Sequence, residues 1–222
     1  GIPLVEIKKT RLEGWGRIYK RVFDIIGSLS LIIITSPIML LTAIAIKLDS
    51  KGPVFWSKLD DGQPVTRLGQ NGKPFNYFKF RSMFPGQHAK RYQELADKNL
   101  RDGSPLVKID NDPRITATGR FIRKYSIDEL PEFFLVLIGK MSLVGPRPHF
   151  PEEIAKFQSH QKKALAIKPG ITGLAQISGR SDLDFDDEVK LDTFYMENWT
   201  MLMDIAILLK TPLAVLRTRK AI

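Results

Sequence analysis

Cysteine is absent from the 222 residues. That excludes disulfides, thiolate metal centres and cysteine nucleophiles. It fits a reducing compartment. Histidine is scarce, at three residues, and none are paired at metal-ligand spacing. Negative charge is also short: 24 Asp and Glu stand against 34 Lys and Arg, a formal net charge of +10. Such an excess points to an anionic partner, whether nucleic acid, an anionic membrane or a phosphorylated substrate. No internal repeat, low-complexity tract or cleavable signal peptide is visible. The first residue is Gly1 rather than Met, which raises the expectation of further residues before it.

What the chain does contain is one long uncharged run, Ile25 to Ile46, bounded by Lys20, Arg21 and Asp24 before and Lys47, Asp49 and Lys51 after. About 22 apolar residues suffice for a membrane helix. A plain span and a buried core helix are the simple readings. Two features favour a third, a helix that enters the membrane and returns. Ser36-Pro37 lies near the midpoint, where proline removes a backbone donor and bends the helix. Each half is then about 11 residues, or ~16 Å, about half the hydrocarbon thickness. Both flanks are basic, and basic flanks prefer the cytoplasm. The hydroxyls of Thr35 or Ser36 are placed to satisfy the carbonyl that proline frees.

Downstream, Gly52 to Phe84 is punctuated by glycine and proline. It reads as two or three short strands with turns at Asp61-Gly62 and Asn71-Gly72. Residues 87–100 read as a polar helix. Helices are expected over 115–124 and 128–138, on either side of Ser126, and over 151–167. Residues 168–180 read as a loop with a short strand, and the last forty residues as helices over 184–198 and 200–217.

The segment RKYSIDELPEFF carries two adjacent carboxylates, Asp128 and Glu129. Ser126 followed by Glu129 matches a capping box, so both acids could simply complement a helix start. Their surroundings suggest more. Arg123 precedes them closely. Arg147 lies in Gly-Pro-Arg-Pro, Arg114 in Asp-Pro-Arg, Arg180 in Ser-Gly-Arg, and Lys79 and Arg81 alternate with Phe78 and Phe80 as on one face of a strand. Singly, each reads as a surface charge. Several on stiff Gly/Pro turns suggest a diphosphate site, which needs cations for the non-bridging oxygens and a carboxylate to hold Mg²⁺.

Taken in order, KRVFD (20–24), the apolar run with Ser36-Pro37, GPVF (52–55), GKPFNYFKFRSM (72–83), DPRITATGRFIRKYSIDELPEF (112–133), GKMSLVGPRPHF (139–150), KPGITGLAQISGR (168–180) and LDTFYMENWTMLMDIAILLKT (191–211) resemble the bacterial sugar transferases, the monotopic polyprenyl-phosphate hexose-1-phosphate transferases. These pieces cover residues 20–211. The resemblance implies a helix-rich α+β fold: residues 1–50 as a basic segment and re-entrant membrane helix bent at Ser36-Pro37, and 51–222 as a compact catalytic domain with C-terminal interfacial helices. It places that domain on the cytoplasmic face of the bacterial inner membrane. It implies Asp128 as nucleophile, Glu129 as a Mg²⁺ ligand, and Lys79, Arg81, Arg114, Arg123, Arg147 and Arg180 as phosphate-binding candidates. The implied partners are a UDP-sugar, a polyprenyl phosphate and membrane lipid, with no nucleic acid; a homo-oligomer is left open. Larger relatives add N-terminal transmembrane helices. The connection 57–71 is longer than the family's usual turn. Two rival readings are a non-catalytic basic membrane scaffold and a membrane phosphatase using an aspartate nucleophile.

Overall fold

The computed structural model describes residues 12, 14–87, 90, 99, 104–106, 109, 111–179 and 183–217. The expected helix over 87–100 falls almost wholly outside them, as does Arg180. The fold is helix-rich with short strands. One long helix, α1 (Trp15–Asp49), precedes two antiparallel ladders, one nested inside the other in sequence. β1 (Phe55–Trp56) pairs with β4 (Lys79–Phe80), and β2 (Thr66–Leu68) with β3 (Pro74–Asn76). The β2–β3 connection reverses at Asn71 and Gly72, both left-handed at φ 57° and 69°, as the Asn-Gly pair predicts. The longer connection after β1 closes at Asp61-Gly62, where the Asp61 carboxylate accepts from the Gln63 amide at 2.9 Å.

Next come α2 (Ala117–Lys124), a 3₁₀ turn (Ile127–Glu129) and α3 (Glu132–Leu137). A parallel ladder joins β5 (Ser142–Val144) to β6 (Gly170–Thr172). The crossover between them holds α4 (Pro151–Ile154) and a 3₁₀ segment (Gln161–Ala166) rather than the single helix expected over 151–167. The break has a local cause. The Gln158 amide bonds the Gln161 side chain at 2.8 Å instead of continuing a helical ladder. The chain ends in α5 (Leu174–Ser178), α6 (Phe185–Asn198) and α7 (Met201–Arg217).

The ladders among the described residues are two-stranded, and the core draws on helices and strands together. Leu135, Val136, Met141, Leu143, Tyr195 and Ile207 are almost fully enclosed and belong to one cluster. Gly119 lets α2 lie against β4's continuation: a Cβ there would sit 1.9 Å from the Ser82 carbonyl oxygen, so only glycine fits.

α1 meets this body at both ends. Near its start, Lys20 Nζ lies 2.6 Å from Asp204 Oδ2, and Arg21 donates to the carbonyls of Val136 and Leu137 at the end of α3, each at 2.7 Å. Asp24 accepts from Ser142 Oγ and the Leu143 amide at 3.0 and 2.9 Å. Near its end, Ile46 packs with Phe80 and Ile122, and Asp49 accepts from the Thr118 amide at 3.1 Å. Between the ends the helix is mostly exposed, although Leu31 and Ile32 touch the core. Ile33, Ile34, Leu40 and Leu41 are each about two-thirds exposed. Pro37 lies inside the helix and cannot donate to the Ile33 carbonyl. Ser36 Oγ donates to that carbonyl at 2.8 Å, as the sequence suggested, whereas Thr35 Oγ1 donates to the Leu31 carbonyl at 2.7 Å.

Candidate active site

The expected capping box at Ser126 does not form. Ser126 adopts a left-handed conformation, φ 53°, and its side chain makes no capping bond. An N-cap needs extended backbone; Ser126 instead reverses the chain just after α2. The capping residue of this region is Thr116, whose Oγ1 accepts from the Gly119 amide at 2.9 Å. A left-handed serine is uncommon, and such strain is retained where the surroundings enforce it. Its effect is to turn Asp128 inward. Asp128 is 4% exposed, and its Oδ2 lies 2.7 Å from Lys79 Nζ on β4. Glu129 beside it remains half-exposed. Pro131 leads directly into α3.

Arg147 approaches Glu129 and Glu132 from the turn after β5. Gly145 donates to Thr172 at 2.8 Å, and Pro146 accepts from the Gly170 amide at 2.7 Å. A Cβ on Gly145 would stand 2.5 Å from the Lys168 carbonyl, so the turn lies hard against the chain entering β6. Arg147 itself is exposed. Desolvation lowers its pKa, but the acidic groups around it, Glu129 foremost, outweigh that and raise it. A guanidinium that is both solvent-accessible and strongly coupled to acids lies where an anion can reach it.

Two members of this group were not singled out in the sequence. Glu132, on the first turn of α3, is buried and accepts a short hydrogen bond from the Tyr77 hydroxyl. Glu132 is three residues beyond Glu129, a spacing that returns it to the same helix face, and that was the available signal.

The other candidates fall differently. Arg81 is buried at the end of α1: its Nε donates to Pro53 at 2.6 Å, and its Nη atoms to Ser50 Oγ, Ser50 O, Lys51 O and Ile46 O. Arg114 is buried in a bidentate pair with Asp112, at 2.8 and 2.6 Å. Arg123, in the last turn of α2, is half-exposed, and its charge helps to lower the Asp112 pKa behind burial, which opposes it, and the Arg114 bonds. The structure thus brings together Lys79, Asp128, Glu129 and Arg147.

Two carboxyls make stability pH-dependent. Glu132 is pushed up to about 8, first by burial and then by the charge of Glu129. Asp192 on α6 is also pushed up to about 8, by burial and then by Glu188, and its Oδ1 finds no partner among the described residues. Both bind a proton more tightly in the folded chain. From the ordinary carboxylate range up to about pH 8, the folded state therefore holds more protons than the unfolded one, and stability falls as pH rises. Thermal unfolding midpoints should decline across that window, and Asp192→Asn should flatten the decline. A midpoint that rises with pH there would contradict the assignment.

Residues 15–218 match the bacterial sugar transferase family. The chain is 42% identical over 223 residues to the undecaprenyl-phosphate galactose phosphotransferase of Salmonella typhimurium, covering 97% of this chain and 44% of that protein. It is 36% identical to the UDP-glucose:undecaprenyl-phosphate glucose-1-phosphate transferase of Klebsiella pneumoniae, covering 95% of this chain and 43% of the relative. To the exopolysaccharide production protein ExoY of Sinorhizobium fredii it is also 36% identical, covering 92% of this chain and 88% of that protein. The chain belongs to the bacterial sugar transferase family. It spans less than half the length of the first two relatives.

Proposed function

We propose that this chain transfers a sugar-1-phosphate from a UDP-sugar to a polyprenyl phosphate such as undecaprenyl phosphate, releasing UMP through a covalent intermediate on Asp128. The observation that carries this reading is the inward-turned Asp128, held by Lys79 beside the half-exposed Glu129 and the anion-accessible Arg147. In the first step an Asp128 oxygen attacks the sugar-bearing phosphorus. The bond from that phosphorus to the bridging oxygen breaks, and UMP leaves with that oxygen. In the second, a phosphate oxygen of the lipid attacks the same phosphorus, the bond to Asp128 breaks, and a polyprenyl diphosphosugar leaves. Splitting the transfer lets two anionic substrates use one cationic site in turn. Lys79 and Arg147 supply the charge for the non-bridging oxygens, with Arg123 close in sequence.

Among the described residues, no group of three or more His, Asp or Glu could hold a metal by itself. Mg²⁺ commonly takes one or two carboxylates and completes its shell with substrate phosphate and water, so Glu129 fits the ion's demands. Bound there, Mg²⁺ would offset charge on the phosphoryl oxygens.

The two-step reading predicts that UDP-sugar alone, without lipid, releases about one equivalent of UMP per site as a burst. Mass spectrometry should then find a sugar-phosphate adduct on the peptide containing Asp128. Normal turnover with lipid but neither burst nor adduct would leave direct transfer as the better account. Free sugar phosphate as the product would indicate a phosphatase, and salt-sensitive binding without turnover a scaffold.

We also infer that α1 is a re-entrant membrane hairpin bent at Ser36-Pro37, with the catalytic body on the cytoplasmic side of the inner membrane. Support comes from the two ends docking on one body, the exposed apolar middle, and the hydroxyl that serves the carbonyl freed by Pro37. Leu202, Leu209, Leu213 and Leu216 form an exposed apolar stripe along α7 that suits an interfacial position. Single cysteines at Arg17 and Lys58 in this cysteine-free sequence should both be protected from an impermeant reagent in intact cells. Labelling of one alone would mean a true span.

A further inference from the structure

A cavity of about 370 Å³ lies between the turn after α2, β6 and the C-terminal half of α7. It reaches Glu129, next to the proposed nucleophile, and is otherwise walled mainly by Phe133, Ile171, Pro212, Val215 and Leu216. Its volume falls within the range of small-ligand sites. The hydroxyls of Thr172 and Thr211 also line it, but they bond one another at 2.8 Å, and Thr211 Oγ1 lies 2.8 Å from the Ile207 carbonyl. Among the described lining residues, Glu129 alone is charged.

This lining suits one kind of occupant. A nucleotide or a sugar carries many donors and acceptors, and most of these walls would leave them unpaired, at a cost. A branched hydrocarbon asks for no hydrogen bonds. The far wall is α7, where Leu216 both borders the cavity and is 58% exposed, in line with exposed Leu213 and Leu209. The cavity therefore borders the apolar stripe at Leu216 on one side and reaches Glu129, the neighbour of Asp128, on the other. That polarity matches an amphiphile whose anionic head lies beside Lys79 and Arg147 and whose tail runs out along α7.

We propose that this cavity is the subsite for the first isoprene units of the lipid acceptor, an inference that rests on the transfer reaction proposed above. The chain leaving the phosphate would thread between β6 and α7 and emerge on the membrane-facing stripe without crossing water.

The test compares two half-reactions in the full chain, in detergent with undecaprenyl phosphate. Val215→Trp fills the cavity. It should raise the KM for the lipid by about tenfold or more and slow the lipid step relative to the UMP burst from UDP-sugar alone. An unchanged lipid KM would overturn the proposal. So would an equal loss in both half-reactions, which would assign the cavity to the nucleotide sugar. A second measurement uses the unaltered chain. A polyprenyl phosphate with a diazirine in its first isoprene unit should label residues 171–172 or 211–216, and unlabelled undecaprenyl phosphate should compete. Labelling confined to other segments would overturn the subsite. Competed labelling in a chain that releases no UMP would preserve the subsite while rejecting the reaction.

Discussion

Asp128→Asn should reduce transfer by about 10³-fold or more, the scale of losing an essential nucleophile. Asparagine keeps the size of the side chain and an oxygen able to accept from Lys79, so the fold should persist. What it lacks is a carboxylate that can attack phosphorus and leave again. Asp128→Glu should not restore the rate. One added methylene displaces the reacting oxygen by about an ångström or more, and misplacement on that scale can cost about 10²-fold. The left-handed turn at Ser126 and the Lys79 contact hold the shorter side chain at a set reach. The measurement is lipid-linked product and UMP release under single-turnover conditions. Substantial activity in the asparagine variant would end the covalent role of Asp128.

Asp204→Ala should be the most damaging change outside the site. Asp204 is wholly enclosed, accepts from Lys20 at 2.6 Å and from the Tyr195 hydroxyl at 2.7 Å, and ties α1 to α6 and α7. Removing it leaves the Lys20 ammonium buried without its countercharge. Breaking such a pair typically costs about 3–5 kcal/mol, a large share of an ordinary total of about 5–15 kcal/mol. The thermal midpoint should fall by about 10 °C. A Lys20→Met/Asp204→Leu double variant should recover part of the loss, because two matched apolar groups leave no orphaned charge. A midpoint unchanged in Asp204→Ala would show that water reaches Lys20 readily in the folded chain.

Residue pattern carried the helices of the C-terminal forty residues and the hairpin turn at Asn71-Gly72 closely, because each depends on local periodicity or on one special backbone conformation. Asp128 and Glu129 were legible as a pair for the same reason. The arginines were not separable in sequence. Arg81 and Arg147 both lie at stiff or strand-like positions near the acids, yet Arg81 meets a ring of carbonyls at a helix end while Arg147 meets carboxylates and solvent. That difference arises only when distant segments pack. Tyr77 and Glu132 were hidden likewise: their 55-residue separation gives no local sign that a hydroxyl and a carboxyl will be buried together. Lys20 and Arg21, read as basic flanks that orient a membrane helix, turn out to be fastened to Asp204 and to the end of α3.

Those fastenings bear on how the catalytic body would be mounted. A membrane anchor joined by a supple linker behaves as a leash, and the site at its end samples a range of heights above the lipid. Here both feet of α1 are bolted to the body, one through Lys20, Arg21 and Asp24, the other through Ile46, Asp49 and the carbonyls that Arg81 grips. If α1 sits in the bilayer as inferred, its depth and the elevation of Asp128 are one mechanical quantity. A thicker or thinner membrane would then raise or lower Asp128 with the whole body, and bilayer thickness itself would set how far the proposed site stands from a lipid headgroup.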